Sequence, residues 1–142
     1  MSKGTTFDND LLKLIFNATA IANLADNAAS GPLTVLYVSL HTADPGSGNQ
    51  STNEISYTGY ARIAVNRNSG GWVVTGNVVS PAADITFGIM TAGAGGTVTH
   101  AAVGTAISGT GKILYKGTLT PNIAVLVGVT PKISSGSTIT ET

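Results

Sequence analysis

At 142 residues the chain is long enough for one domain with a real hydrophobic core, and it contains no cysteine, which excludes cysteine nucleophiles, zinc thiolate sites and iron–sulfur clusters. Seven Lys plus Arg balance seven Asp plus Glu, and charged residues make up only 10% of the chain, against about 25% in an average soluble domain. Lys3, Lys13, Arg62, Arg67, Lys112, Lys116 and Lys132 are scattered, so the basic face that a nucleic-acid partner requires is not expected.

In chain order, the first predicted element is a helix from about Phe7 to about Asn27. Thr5 or Thr6 is its cap, and Asp8 and Asp10 complement the positive end of its dipole. Leu11, Leu14, Ile15, Ala18, Ile21, Ala22 and Ala25 form the predicted apolar stripe, with Leu12, Phe16 and Leu24 off it; Ser30-Gly31-Pro32 ends the helix. Leu33 to His41 is a continuous run of β-formers, which suits a strand buried on both faces. A polar loop of about a dozen residues follows, Thr42 to Asn53, a length that is uncommon without a function.

Tyr60 to Asn66 alternates, with Ala61, Ile63 and Val65 on one side and Arg62 on the other. The turn Asn68-Ser69-Gly70-Gly71 predicts a hairpin with Trp72 to Thr75, and Gly76-Asn77 turns the chain into Val78-Val79. Pro81 marks an edge or a strand end. Further strands are expected at Ile85 to Phe87 and Thr97 to Gly104, with a flexible stretch at Thr91 to Gly96 between them. Lys112 to Leu119 and Ile123 to Val129 are expected to pair across Thr120-Pro121-Asn122, and a last short strand lies within Ile133 to Thr140. About eight short strands at this spacing predict a mainly β protein, a single antiparallel β-sandwich of jelly-roll type with an N-terminal helix. The expected organisation is one domain, residues 1–142, with an arm and helix at 1–31 and the sandwich at 32–142.

Few residues could do chemistry. His41, with Asp44, Ser39 and Thr42, is the nearest to an acid–base set, but spacing supplies neither an orienting partner nor a cleft, and no enzyme activity is expected. Gly93-Ala94-Gly95-Gly96 lacks the Lys-Ser/Thr ending of a phosphate loop. Asp44, Asn49, Asn53 and Glu54 offer oxygen ligands but depart from the EF-hand order, and a solvated turn is the simpler reading. No cofactor is expected. Near Met1 there is no charged segment leading into an apolar core, and no window approaches about 18 uninterrupted apolar residues. Neither export nor membrane insertion is therefore expected. Trp72 is either a core plug or an exposed anchor, and Tyr57 and Tyr60 either make a contact ridge or flank a bend.

The run Leu36-Tyr37-Val38-Ser39-Leu40-His41-Thr42-Ala43-Asp44-Pro45-Gly46, followed by Asn53-Glu54-Ile55-Ser56-Tyr57-Thr58-Gly59-Tyr60-Ala61-Arg62, resembles a group of small structural proteins of tailed bacteriophages. Ile85-Thr86-Phe87, Thr97-Val98-Thr99-His100 and Gly111-Lys112-Ile113-Leu114-Tyr115 agree in order, so the resemblance runs from about Leu11 to about Ile133. It implies a virion structural protein made in the host cytoplasm, and brings no catalytic residues with it.

A small neutral domain without internal repeats favours a capsid decoration or cement protein on the outer capsid surface, with a tail-fibre or other tail-associated subunit as the alternative. The partners expected are the major capsid protein or other virion subunits, and further copies of the chain as a dimer or trimer, with neither nucleic acid nor membrane. The candidate partner-contact residues are Phe7, Asp44, Pro45, Asn49, Tyr57, Tyr60, Trp72 and Met90. The arm before Phe7 and the loops at 42–53 and 91–96 are the segments expected to reach neighbouring subunits.

Overall fold

A computed structural model describes residues 5–21 and 32–142. The elements are α1 (Thr5–Asn17), β1 (Val35–His41), β2 (Ile63–Asn66), β3 (Trp72–Thr75), β4 (Val78–Pro81), β5 (Ile85–Thr86), β6 (Gly96–Gly104), β7 (Ile113–Val125), β8 (Lys132–Ile133) and β9 (Ile139–Thr140). The protein is mainly β, with one short helix and three antiparallel sheets of strand order β2-β1-β6-β7, β3-β4-β9 and β5-β8. No barrel closes among the described residues. Nor is any described helix long and apolar enough to cross a membrane. The chain forms two compact units, one of Met1–Val35, Val65–Asp84 and Ser134–Thr142, the other of Leu36–Ala64 and Ile85–Ile133.

In the first unit α1 packs on the β3–β4 hairpin. The helix ends ten residues before the expected Asn27: Ala18 turns left-handed at φ +54°, and the Thr19 amide returns to the Lys13 carbonyl at 3.1 Å. Arg67 supplies what the helix end lacks, since its guanidinium donates to the carbonyls of Leu14 and Ile15 and, at 3.1 Å, to that of Leu33. A cation on these orphan carbonyls also answers the negative end of the dipole. The expected continuation through Ala22, Leu24 and Ala25 to Asn27, and the stop at Ser30-Gly31, lie outside the described residues.

The buried face of α1 is not the expected stripe. Leu12 and Phe16, read as off it, are fully buried, while Leu11, Leu14 and Ile15 are partly exposed. The largest apolar side chains four residues apart decide the face, because Phe16 meets the Trp72 ring edge-on with centroids 4.8 Å apart.

The turn at Asn68 to Gly71 forms, with the Asn68 side chain accepting from the amides of Gly70 and Gly71. It does not close the expected hairpin. β2 belongs to the sheet of β1, whereas β3 pairs with β4, from Trp72↔Pro81 to Thr75↔Val78. Gly76, at φ +61°, is the first central residue of that two-residue connection, where a II′ turn needs glycine. β9 completes the sheet against β4, and Pro81 stands at a strand end as expected.

In the second unit β1 pairs with β6 from Tyr37↔Gly104 to His41↔His100. Leu36, Val38 and Leu40 are buried on one face of β1, and Ser39 and His41 on the other, as expected for a strand covered on both sides. β7 corrects a further expectation. The segments on either side of Pro121 do not pair with each other; they form one strand whose two halves both run along β6. The register shifts between Val98↔Ile123 and His100↔Thr118, so that residues 119–122 bulge out, and the Thr120–Pro121 peptide is cis. β6 is long enough to take both halves, and Pro121, read as a turn signal, marks the bulge instead. β5 and β8 form a short ladder through Ile85↔Ile133 and Thr86↔Lys132.

Candidate functional site

The second unit concentrates its buried polar chemistry where the segment Leu36–Arg62 folds back on itself. The long loop after β1 is closed at its base. Thr42 donates to the Asn53 carbonyl at 2.9 Å and Ile55 to that of Leu40 at 3.0 Å, and His41 faces Glu54 in an isolated bridge. Within it, the Asp44 carboxylate accepts from the Gly46 amide at 2.8 Å and pairs with the Lys116 ammonium, which holds its pKa below the usual carboxylate value. Asn53, itself left-handed at φ +56°, donates to the Asp44 carbonyl at 2.9 Å. The loop is stitched by its own side chains, the work of its Asp and Asn residues.

Beneath it lies the ion pair of Glu54 and Arg62. Arg62, a residue only 6% exposed, donates Nε–H and Nη2–H to the two Glu54 oxygens, both at 2.7 Å. Its remaining bonds reach the Ala106 carbonyl at 2.9 Å and the Gly109 carbonyl at 2.7 Å. The Tyr60 hydroxyl donates to Glu54 Oε1 at 2.7 Å and accepts from the Leu40 amide at 3.1 Å. The bidentate fork is the strong form of such a pair. The hydrogen bond to Glu54 raises the Arg62 pKa, and burial raises that of Tyr60. Gln50, fully buried, joins the same loops: its Oε1 accepts from the Ala106 amide at 2.9 Å, and its backbone amide donates to the Gly111 carbonyl at 2.9 Å. The segment 105–111 is thus tied down by two buried side chains, Gln50 and Arg62.

His41 is also fully buried. Nδ1 must carry a proton, since its partner at 2.9 Å is the Thr52 carbonyl; Nε2 lies 2.9 Å from the Ser39 hydroxyl. Burial lowers the pKa of the ring. Ser39 and His41 are hydrogen-bonded, but both are closed off from solvent.

The expected contact residues divide by exposure. Phe7 and Asp44 are exposed, and Asn49 is half-buried, its side chain accepting from the Ser51 amide at 3.0 Å. Pro45, Tyr57 and Met90 are buried, and of the two readings of Trp72 the core one is observed. Tyr60 is half-buried: its ring stacks on Phe87 with centroids 6.1 Å apart and tilts against Tyr57 at 5.4 Å. The two tyrosines therefore flank a bend and anchor it, with the Tyr57 hydroxyl donating to the Gly88 carbonyl at 2.8 Å. Glu54, considered as a cation ligand, faces Arg62 and Tyr60. No group of three or more acidic, His or Cys side chains converges among the described residues.

Sequence reasoning missed Arg62 and Gln50 as organising residues and did not pair Arg62 with Glu54. The available signal was an arginine inside an apolar alternation, eight positions after a glutamate, in a chain with few charges.

What this chemistry achieves is the fixing of loops, and the residues achieving it are those of the run His41–Arg62. No curated protein matches the chain. A family model described as podophage GP4 fiber I protein gp80 matches residues 4–141, nearly the whole length. The chain belongs to this family of small bacteriophage structural proteins, the podophage GP4 fiber I protein gp80 family.

Proposed function

We propose that this protein is a non-enzymatic structural subunit of a podophage virion, placed in the tail-fibre apparatus, that works through contacts with other protein subunits. The observation that carries this reading is the match to a fiber protein family across residues 4–141. The internally satisfied Glu54–Arg62–Tyr60 cluster supports it, because its hydrogen bonds run mainly to the protein's own loops. The second reading is a decoration subunit on the outer capsid surface with the major capsid protein as its partner; a charge-poor chain without internal repeats favours it. Both readings include a homo-oligomer, dimer or trimer, no cofactor, and neither nucleic acid nor membrane as partner. The jelly-roll sandwich expected from the strand spacing is part of the proposal.

The test is to separate heads from tails of purified virions, immunoblot each fraction, and label intact particles with immunogold. The protein is expected with the tails. Recovery with heads would replace the fibre reading by decoration, and absence from washed particles would refute both.

A further inference from the structure

Residues 42–53 leave the sheet at the end of β1 and come back to the same place, where Thr42 donates to the Asn53 carbonyl. A few separate ties seat this loop, with no strand ladder. Gln50, fully buried, fills a slot between Gly104 and Gly111, and a Cβ on either glycine would collide with it. Asn49 faces Lys112 in an isolated bridge. Near the start of the loop Asp44 pairs with Lys116 of β7; near its end the Thr52 carbonyl accepts from His41 Nδ1 at 2.9 Å. A loop closed at its base and packed by its own side chains opens as a unit.

The seat at His41 fits only a neutral ring. With the proton on Nδ1, Nε2 accepts from the Ser39 hydroxyl at 2.9 Å. A second proton on Nε2 would make that hydroxyl an acceptor and send its own hydrogen towards the Ala102 carbonyl, 3.4 Å away, a poor bond. The charged and titratable groups facing the ring are Glu54, Arg62 and His100, its register partner on β6. Glu54 is committed to Arg62 at 2.7 Å, so no free carboxylate among them answers an imidazolium, while Arg62 and a charged His100 oppose one. The Asp44–Lys116 pair likewise cancels itself.

We propose that residues 42–53 form an acid-released strap: protonation of His41 unseats the loop while the β1–β6 ladder stays paired, baring the sheet face that carries Ser39 and His41. Burial holds the pKa of the seated ring below 6.5, and water restores the ordinary value once the strap lifts. The opening equilibrium is therefore flat above that pH and grows as pH falls through it.

Native-state hydrogen exchange on the purified full chain, followed by NMR at about pH 7.5 and about pH 5 with and without low urea, tests it. One titrating ring raises the opening equilibrium by up to about 30-fold between these conditions. The Thr42 and Gln50 amides are expected to lose protection by that factor, after correction for intrinsic rates, through an opening that low urea does not change. The β6 amides at 101–103 are expected to exchange through a urea-sensitive opening. His41→Asn is expected to show the same strap protection at both pH values; where this variant fails to fold, the wild-type acid and urea responses decide. Strap amides that stay protected at pH 5, that exchange only through the urea-sensitive opening of the ladder, or that respond to acid equally in His41→Asn would each overturn the proposal.

Discussion

Arg62→Ala tests whether the buried pair holds its surroundings in place. The substitution removes a side chain that is 2% exposed and makes four hydrogen bonds, two to Glu54 and one each to the carbonyls of Ala106 and Gly109. Glu54, whose side chain is 14% exposed, is left with the Tyr60 hydroxyl. Removing one partner of a buried pair costs about 3–5 kcal/mol, chiefly because the other charge stays desolvated. For a chain of this length that lowers the thermal midpoint by roughly 10–20 °C. Urea and thermal denaturation followed by far-ultraviolet circular dichroism measure the loss. The double variant Arg62→Leu with Glu54→Leu is expected to recover much of it, since no lone charge remains. A loss below about 1 kcal/mol for Arg62→Ala, the range of solvent-exposed pairs, would show that the pair is hydrated and would remove the basis for a clamped 105–111 loop.

Acid should weaken the fold through His41. Burial lowers its folded pKa below the ordinary 6.5, so in the window beneath that value the unfolded chain binds more protons; the stabilisation is complete above the window and is lost as pH falls through it. The urea midpoint is expected to drop between about pH 7.5 and about pH 5, and His41→Asn should flatten that dependence; an equal slope in both proteins would refute the assignment. Two glycines should respond oppositely. Gly59, at φ +107° with the Ile89 carbonyl oxygen 2.2 Å from where a Cβ would stand, should lose about 1–3 kcal/mol as Gly59→Ala. Gly117, in mid-strand with open space around it, should gain up to about 1 kcal/mol as Gly117→Ala, both read from urea midpoints. Phe16→Ala should cost about 3–5 kcal/mol and red-shift the emission of Trp72, whose ring it covers; an unshifted spectrum would contradict that contact.

Local signals in the sequence carried the element positions well and their partners poorly. The first-turn acid Asp8, the β-former run before His41 and the turn at Gly76 are properties of neighbouring residues, and each stands where expected. The end of the helix depends on Arg67, about fifty positions further on, and no local pattern announces it. The turn at Asn68 to Gly71 was legible, but which sheet the next strand joins is a tertiary matter, as is the passage of β7 through Pro121 without reversing. For the site, the sequence leaves Trp72 open between core plug and anchor and Tyr57 open between contact ridge and bend, and offers both, with Met90, as candidate contacts. Tyr57, Trp72 and Met90 are core, because a domain with three Phe and one Trp draws its large side chains inward. Arg62 was hidden for the converse reason: a charged residue reads as surface until its partner is known.

The outermost strand of the largest sheet has a consequence for how copies of the protein meet at high concentration. β7 offers 13 residues of edge, yet Pro121 supplies no amide and the bulge at 119–122 throws the backbone out of line midway. A ribbon broken in this way is a poor template for a foreign or sister strand to zip onto. Crowded copies are thereby steered away from runaway fibrillar stacking, leaving side-chain surfaces to choose how they meet.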